Sequence, residues 1–357
     1  MQAFFKGHTL LSTVVRRCVA GVLLSGLAWH AQADALPGAP APFDKGKVQI
    51  ALVGYLSSGD FPEAYLQGVE KQTAALGATL RVFDARQQAA TQREMIEQAI
   101  DLGVDGIIVQ LGLAETLRDS VDKAIAKGIK VVAFDVDLQN PKVTQVEQDH
   151  HALARLALEQ ALKDNGTTFE AGYVYISGFT PMERRNEIWN QVKAANPGIV
   201  EKARFGTLNP PIANSVADQA SAVLRANPGI SVIFAPFDEF AKGAKIAVDE
   251  AGLGSKIKIY SADISTADIQ IMKEPDSAWV ATAAVNPQVL GAISVRSLAM
   301  LIAGENPGQR VLVPPTLITR QQLLDLDVKN VRDLAQKVPA FGDAASIASP
   351  AWIPQSK

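Results

Sequence analysis

Asp135 and Asp137 close the run Ile129-Lys130-Val131-Val132-Ala133-Phe134-Asp135-Val136-Asp137, which is largely apolar, rich in β-branched residues and entered through Gly128. Such a run suits a strand inside a parallel sheet covered on both faces. Ligands of open α/β sheets sit just beyond the carboxyl ends of strands of this kind. Asp263 closes a second run, Lys256 to Ala262, far along the chain. Two sheets that each offer a carboxylate at a strand end point to a ligand held between two lobes. An Asp after a strand also serves as a turn or capping residue, but that role is harder to hold for two such residues in different lobes. Asp238, following Phe237, opens a helix and reads as an N-cap.

Arg184 and Arg185 fall in the first turns of a helix that begins at Pro181, where positive charge opposes the helix dipole. An arginine in that position is accounted for if its guanidinium forks onto a ligand or onto one of these aspartates. Trp189, further along the same helix, reads as a core residue. The turn Gly54-Tyr55-Leu56-Ser57-Ser58-Gly59-Asp60-Phe61 has the glycine spacing of a phosphate loop. Asp60 stands where the loop's lysine must be, and Phe61 where its Ser or Thr must be, so nucleotide hydrolysis is disfavoured. Two readings are left: a flexible turn, or a ligand loop in which Phe61 stacks on a ring and Ser57 or Ser58 donates hydrogen bonds.

Hydrolytic chemistry finds no foothold. There is no G-x-S-x-G elbow and no H-E-x-x-H pair. His150 and His151 are adjacent, do not share a helix face, and read as solvated or structural. The single cysteine is Cys18, so the chain beyond it has no thiol nucleophile, disulfide or thiolate metal site. No catalytic residue, cofactor or metal is expected.

The N-terminal stretch has the layout of a secretory leader. Lys6, Arg16 and Arg17 form a basic region, Cys18 to Trp29 an apolar core, and Ala31-Gln32-Ala33 a small-residue cleavage signal before Asp34. About twelve apolar residues fall short of the roughly 20 that span a bilayer. Residues 1–33 are therefore read as a signal peptide cleaved after Ala33, with Sec export preferred to the twin-arginine route. Removing its three basic residues from the chain's 34 leaves 31 against 37 acidic, a formal charge of −6. That balance argues against a nucleic-acid partner. The product is expected to be a soluble periplasmic protein, monomeric, built from ordinary proportions of apolar and charged residues (48% and 20%).

The elements that must position these residues alternate between strand and helix. Residues 34–46 are Pro-, Ala- and Gly-rich and read as a flexible lead-in. From Val48 strands and helices succeed each other over short connections, with a capping box at Thr91-Gln92-Arg93-Glu94. Near Val146-Glu147-Gln148-Asp149 the pattern restarts and runs to Ala303. A length of 357 residues exceeds one ordinary hydrophobic core. The fold class is α/β, with two Rossmann-like lobes, each a parallel sheet flanked by helices.

From Val48 to Thr319 the sequence resembles the type I periplasmic binding proteins, in the ribose-binding branch of ABC-transporter sugar receptors. The resemblance is carried by Ile50-Ala51-Leu52-Val53 with Gly68 downstream, Lys130 to Asp135, Glu183-Arg184, Phe234-Ala235-Pro236-Phe237-Asp238-Glu239, Ala262-Asp263, and Asn286-Pro287 before Gly291. It implies a three-segment hinge near Asp149, Asn286 and Pro314–Thr316. The N-terminal lobe would be 47–149 plus 287–314, and the C-terminal lobe 150–286 plus 315–357 with the tail. It further implies that Phe61 stacks on a sugar, that Asp135 and Asp263 accept its hydroxyls, and that Arg184 donates to it. Phe237, Asp137, Asn286 and Ser58 complete the candidate set; Asp137 rests on its place just beyond a strand and Ser58 on the turn after the first strand, not on the resemblance. Gly59 and Phe237 replace asparagines of the family pattern, Pro62 a second aromatic, Val136 an arginine and Val285 a glutamine, which speaks against ribose itself. Phe61, Phe179 and Phe237 could offer apolar faces to a pyranose or polyol.

The implied function is the periplasmic binding component of an ABC importer, taking a small sugar or polyol in the cleft and delivering it to the membrane permease. A co-receptor for a histidine kinase or chemoreceptor, or a receptor for a small cationic or cyclic non-sugar ligand, is the alternative. An exported α/β enzyme is disfavoured by the missing catalytic groups.

Overall fold

The computed structural model describes residues 35–356. The proposed leader and its cleavage site lie outside the described residues. In the first half the chain runs β1 (Gln49–Gly54), α1 (Asp60–Ala75), β2 (Thr79–Asp84), α2 (Ala89–Asp101), β3 (Gly106–Gln110), α3 (Ala114–Ala126), β4 (Lys130–Phe134) and β5 (Thr144–Gln148). It continues as α4 (His150–Asn165), β6 (Phe169–Val174), α5 (Thr180–Ala195), β7 (Ile199–Phe205), α6 (Ile212–Ala226), β8 (Ile230–Ala235), α7 (Asp238–Glu250), β9 (Lys258–Ala262), α8 (Thr266–Lys273) and β10 (Trp279–Ala284). Then come α9 (Pro287–Ile302), β11 (Arg310–Val313), β12 (Thr316–Thr319), α10 (Arg320–Asp325), α11 (Val331–Lys337) and α12 (Pro339–Gly342).

These strands form two six-stranded sheets of one design, β11-β5-β4-β3-β1-β2 and β12-β10-β9-β8-β6-β7. All pairs are parallel except β10 with β12. The interior strands β3 and β4 are near-continuous apolar runs because helices cover both faces; the edge strand β7, buried only at Ile199, then alternates exposed with half-buried positions. The chain passes between the sheets after β5, after β10 and between β11 and β12. Helix α9, reached through the second lobe, returns to the first and packs on α1. Gly68 and Gly291 permit this approach, since a Cβ on either would stand 2.0 or 2.2 Å from a backbone oxygen of the facing helix.

Several expectations change. The opening strand ends at Phe134, not Asp137, because Asp135 turns to a left-handed φ of 55° and its amide donates to the Val146 carbonyl. Helix α2 begins at Ala89, so Thr91 is no cap; its hydroxyl bonds the Gln88 side chain. Asp238 is the first helical residue rather than the N-cap, which is Phe237. The lead-in is not free: Phe43 is fully buried and its ring lies 5.3 Å from that of Trp352. The tail, assigned wholly to the second lobe, divides. Leu323, Leu334 and Phe341 join the second lobe's core, whereas Ala344 and Ile353 join the first lobe's. Gln72 and Arg296 of the first lobe donate to the carbonyls of Pro354 and Ile347, anchoring that last segment.

Candidate functional site

The strand ends of both sheets face one cleft, lined by residues of both lobes. Asp135 follows β4 and Asp263 follows β9, the third strand from the same edge of each sheet. Both aspartates are buried, at 6% and 3% exposure, and both have left-handed φ, 55° and 73°. Asp is one of the few residues that tolerates this conformation. The turn swings each carboxylate off the strand line into the cleft.

Between them runs a buried chain of hydrogen bonds. Arg185 forks onto Asp263 with Nη1 3.1 Å from Oδ2 and Nη2 3.3 Å from Oδ1. Its Nη2 also lies 3.2 Å from His150 Nδ1, and His150 Nε2 lies 2.9 Å from Asp135 Oδ1. A guanidinium can only donate, so Nδ1 accepts and the imidazole proton sits on Nε2, donated to Asp135. Gln148 reaches the other Asp135 oxygen at 3.4 Å. The chain crosses from one lobe to the other at the His150–Asp135 bond, beside the first crossover.

The cleft brings together four of the anticipated residues: Phe61, Asp135, Phe237 and Asp263. Phe179 joins them, 5.5 Å from the ring of Tyr55 across the lobes. The other four lie elsewhere. Arg184 pairs with Asp137 at 3.2 Å and with Glu147, which Arg310 also holds; neither Arg184 nor Asp137 lines the cleft. Asp137 Oδ1 is taken up by the Gln139 amide and Gln145. Asn286 caps α9, accepting from the Gln288 amide, and Ser58 is exposed. Arg185 takes the cleft position because it shares a helix face with Pro181, Met182, Ile188 and Trp189, all buried.

Residue chemistry alone left Arg184 and Arg185 as equal candidates for a fork onto an aspartate, which Arg185 makes with Asp263, and it set His150 aside as solvated or structural. The signal was helical phase: His150 begins the stripe Leu153, Ala154, Ala157, Leu158 on the inward face of α4.

A second bridge joins the lobes at the Gly54–Phe61 turn. Asp60 Oδ2 accepts from Lys242 Nζ at 2.7 Å and from Ser265 Oγ at 3.2 Å. Lys242 also meets Glu239 at 2.7 Å and Asp268 at 3.3 Å. Burial alone would lower the Lys242 ammonium, but the carboxylates of Asp238 and Asp268 outweigh it and hold it above its ordinary range. Burial raises the Asp238 carboxyl in turn, with Asp268 adding to the effect. The Asp60 that stands in place of a phosphate-loop lysine is thus an interlobe contact.

Among the described residues no group of three or more His, Cys, Asp or Glu is placed to hold a metal ion, and no helix is long and apolar enough to cross a membrane. The site can bind: it offers fixed acceptors, one shared arginine and an apolar surround.

The model of the periplasmic binding protein domain family matches residues 50–306. The ribose import binding protein RbsB of Bacillus subtilis (strain 168) is 22% identical over 280 residues, 78% of this chain and 89% of that protein. Among solved structures, the 5-methylthioribose transporter solute binding protein from Thermotoga lettingae TMO, in complex with 5-methylthioribose, is 35% identical with a TM-score of 0.83. The match covers 86% of this chain and 95% of that one. A sugar ABC transporter protein from Yersinia enterocolitica subsp. enterocolitica 8081 is 31% identical with a TM-score of 0.84, covering 90% and 98%.

Proposed function

Because the chain belongs to the periplasmic binding protein domain family, we propose that it is the binding component of an ABC importer for a small sugar or polyol. The observation that carries this reading is the pair Asp135 and Asp263, which face one cleft from opposite lobes with buried carboxylates fixed by hydrogen bonds. Carboxylates held in this way accept hydrogen bonds from hydroxyls, and the phenylalanines around them cover the C–H faces of a ring. The Thermotoga lettingae neighbour holds a pentose derivative in the same fold, which supports a sugar here.

In this reading the ligand enters between separated lobes, and closure brings Asp135 to His150 and Asp60 to Lys242. The closed rims are presented to the permease in the membrane. Residues 1–33 are a leader removed after Ala33, and the monomeric mature protein works in the periplasm without cofactor or nucleic acid. N-terminal sequencing of the exported protein should begin at Asp34.

The test is a thermal-shift screen of the mature protein against sugars, polyols, cyclitols and amines. A ligand at about 100 times its Kd adds roughly 2.7 kcal/mol of stability. Stabilisation by amines alone, with no polyhydroxyl compound active, would overturn the sugar assignment.

A further inference from the structure

The cleft changes character in the same direction along both sheets. On the side of the crossovers, the ends of β3, β4, β5 and β9 contribute Gln110, Asp135, Gln148 and Asp263, with Arg185 among them. On the far side, the loops after β1, β8, β6 and β7 contribute Leu56, Phe237, Ile176 and Leu208. No cleft-lining side chain on that far side carries a hydrogen-bonding N or O. These residues are continuous with the second lobe's apolar core, which the ligand would extend.

The polar end also has capacity to spare. Arg185 Nε, a donor, and Gln148 Oε1, an acceptor, are buried with no hydrogen-bond partner among the described residues. A hydroxyl both accepts and donates, so ligand hydroxyls have the chemistry that each of these two atoms lacks. Buried polar atoms of this kind are ordinarily satisfied. At the far end the requirement reverses. A hydroxyl carried there would lose water and gain no side-chain partner, whereas an alkyl or thioether group would gain contact.

We infer that the ligand is a sugar with its hydroxyls gathered at one end and an apolar substituent, such as an alkylthio or alkyl group, at the other. The hydroxyl end lies against Asp135, Gln148, Arg185 and Asp263; the substituent lies against Leu56, Ile176, Phe179 and Leu208. This inference rests on the sugar-receptor reading above and sharpens it.

The test is isothermal titration of the mature protein with three compounds: D-ribose, 5-deoxy-D-ribose and 5-S-methyl-5-thio-D-ribose. The deoxy sugar shares the furanose restriction of the methylthio sugar without its bulk, so it separates ring form from apolar contact. Affinity should rise from ribose through the deoxy to the methylthio compound, with about tenfold or more between the ends of the series. Leu208→Asn, in a half-buried loop, should narrow that gap by weakening the methylthio sugar more than ribose; a gap that stays the same overturns the placement of the substituent. Equal or tighter binding of ribose overturns the inference and leaves the receptor reading intact. So does failure of all three when a fully hydroxylated sugar binds in the wider screen. If no sugar or polyol binds at all, the receptor reading falls as well.

Discussion

Asp135 and Asp263 are the same residue of the two lobes. Each is the first residue beyond the third strand of its sheet, each has left-handed φ, and each amide donates to a carbonyl of the neighbouring strand, Val146 or Ala283. Their environments differ. Asp263 is locked to the charge of Arg185, while Asp135 is held by the neutral partners His150 and Gln148.

Asp135→Asn should therefore weaken ligand binding about 10- to 100-fold while leaving stability within about 1 kcal/mol, since Asn also tolerates left-handed φ. Asp263→Asn should weaken binding similarly and lower stability by about 3 kcal/mol, because a buried guanidinium loses its counter-charge. Titration calorimetry and urea unfolding read the two effects separately. Unchanged affinity in both variants would leave the aspartates as turn residues only.

Arg184 and Arg185 should separate cleanly. Arg185→Met removes the centre of the buried chain and should abolish binding, with a loss of about 3–5 kcal/mol of stability. Arg184→Met should change affinity by less than about threefold, because its partners Asp137 and Glu147 lie off the cleft. Loss of binding in Arg184→Met with full stability would restore Arg184 as the ligand donor.

Asp60 meets Lys242 and Ser265 from the opposite lobe, so these contacts exist only when the lobes are together. Asp60→Asn should shift the population toward separated lobes by about 1 kcal/mol, weakening apparent affinity roughly fivefold. Small-angle scattering of the ligand-free protein should show a larger radius of gyration. No change in either quantity would mark the bridge as incidental.

Glu201 offers a pH test within the second lobe. Burial pushes its carboxyl up, but hydrogen bonds from Arg204, Lys193 and Trp189 outweigh this and hold it at about 2, against an ordinary 4.5. The folded state thus favours the ionised form. Its stabilisation is complete above about pH 4.5 and is lost as pH falls through about 2. Glu201→Gln should be less stable than the parent at pH 7 by about 1 kcal/mol, a modest value for a site partly open to solvent. The difference in Tm should shrink steadily below pH 4.5. A gap that stays constant down to pH 2 would contradict the assignment.

Both sheets were legible in the sequence because their interior strands are apolar runs separated by helices with clear inward stripes. The position of the two cleft aspartates was legible for the same reason, as charges that end such runs. Strand β5 was not: Thr144-Gln145-Val146-Glu147-Gln148 carries only one apolar residue, and its buried Glu147 is made tolerable by Arg184 and Arg310, one of them more than 160 residues away. Choosing between Arg184 and Arg185 needed the phase of α5, set by Met182, Ile188 and Trp189, rather than a motif match. His150 looked inert because its two partners, Asp135 and Arg185, come from other elements. Phe43 looked mobile because Trp352, which covers it, lies at the opposite end of the chain.

The divided tail has a mechanical consequence. Phe341 is rooted in the core of the second lobe and Ala344 in the core of the first. Three residues span at most about 10 Å even when fully stretched. This short tether joins the three crossovers as a fourth covalent link between the lobes. The lobes cannot part at that point unless one anchor is pulled out. Any opening must swing about it as about an axle, with the distant rims travelling and the tethered side nearly still.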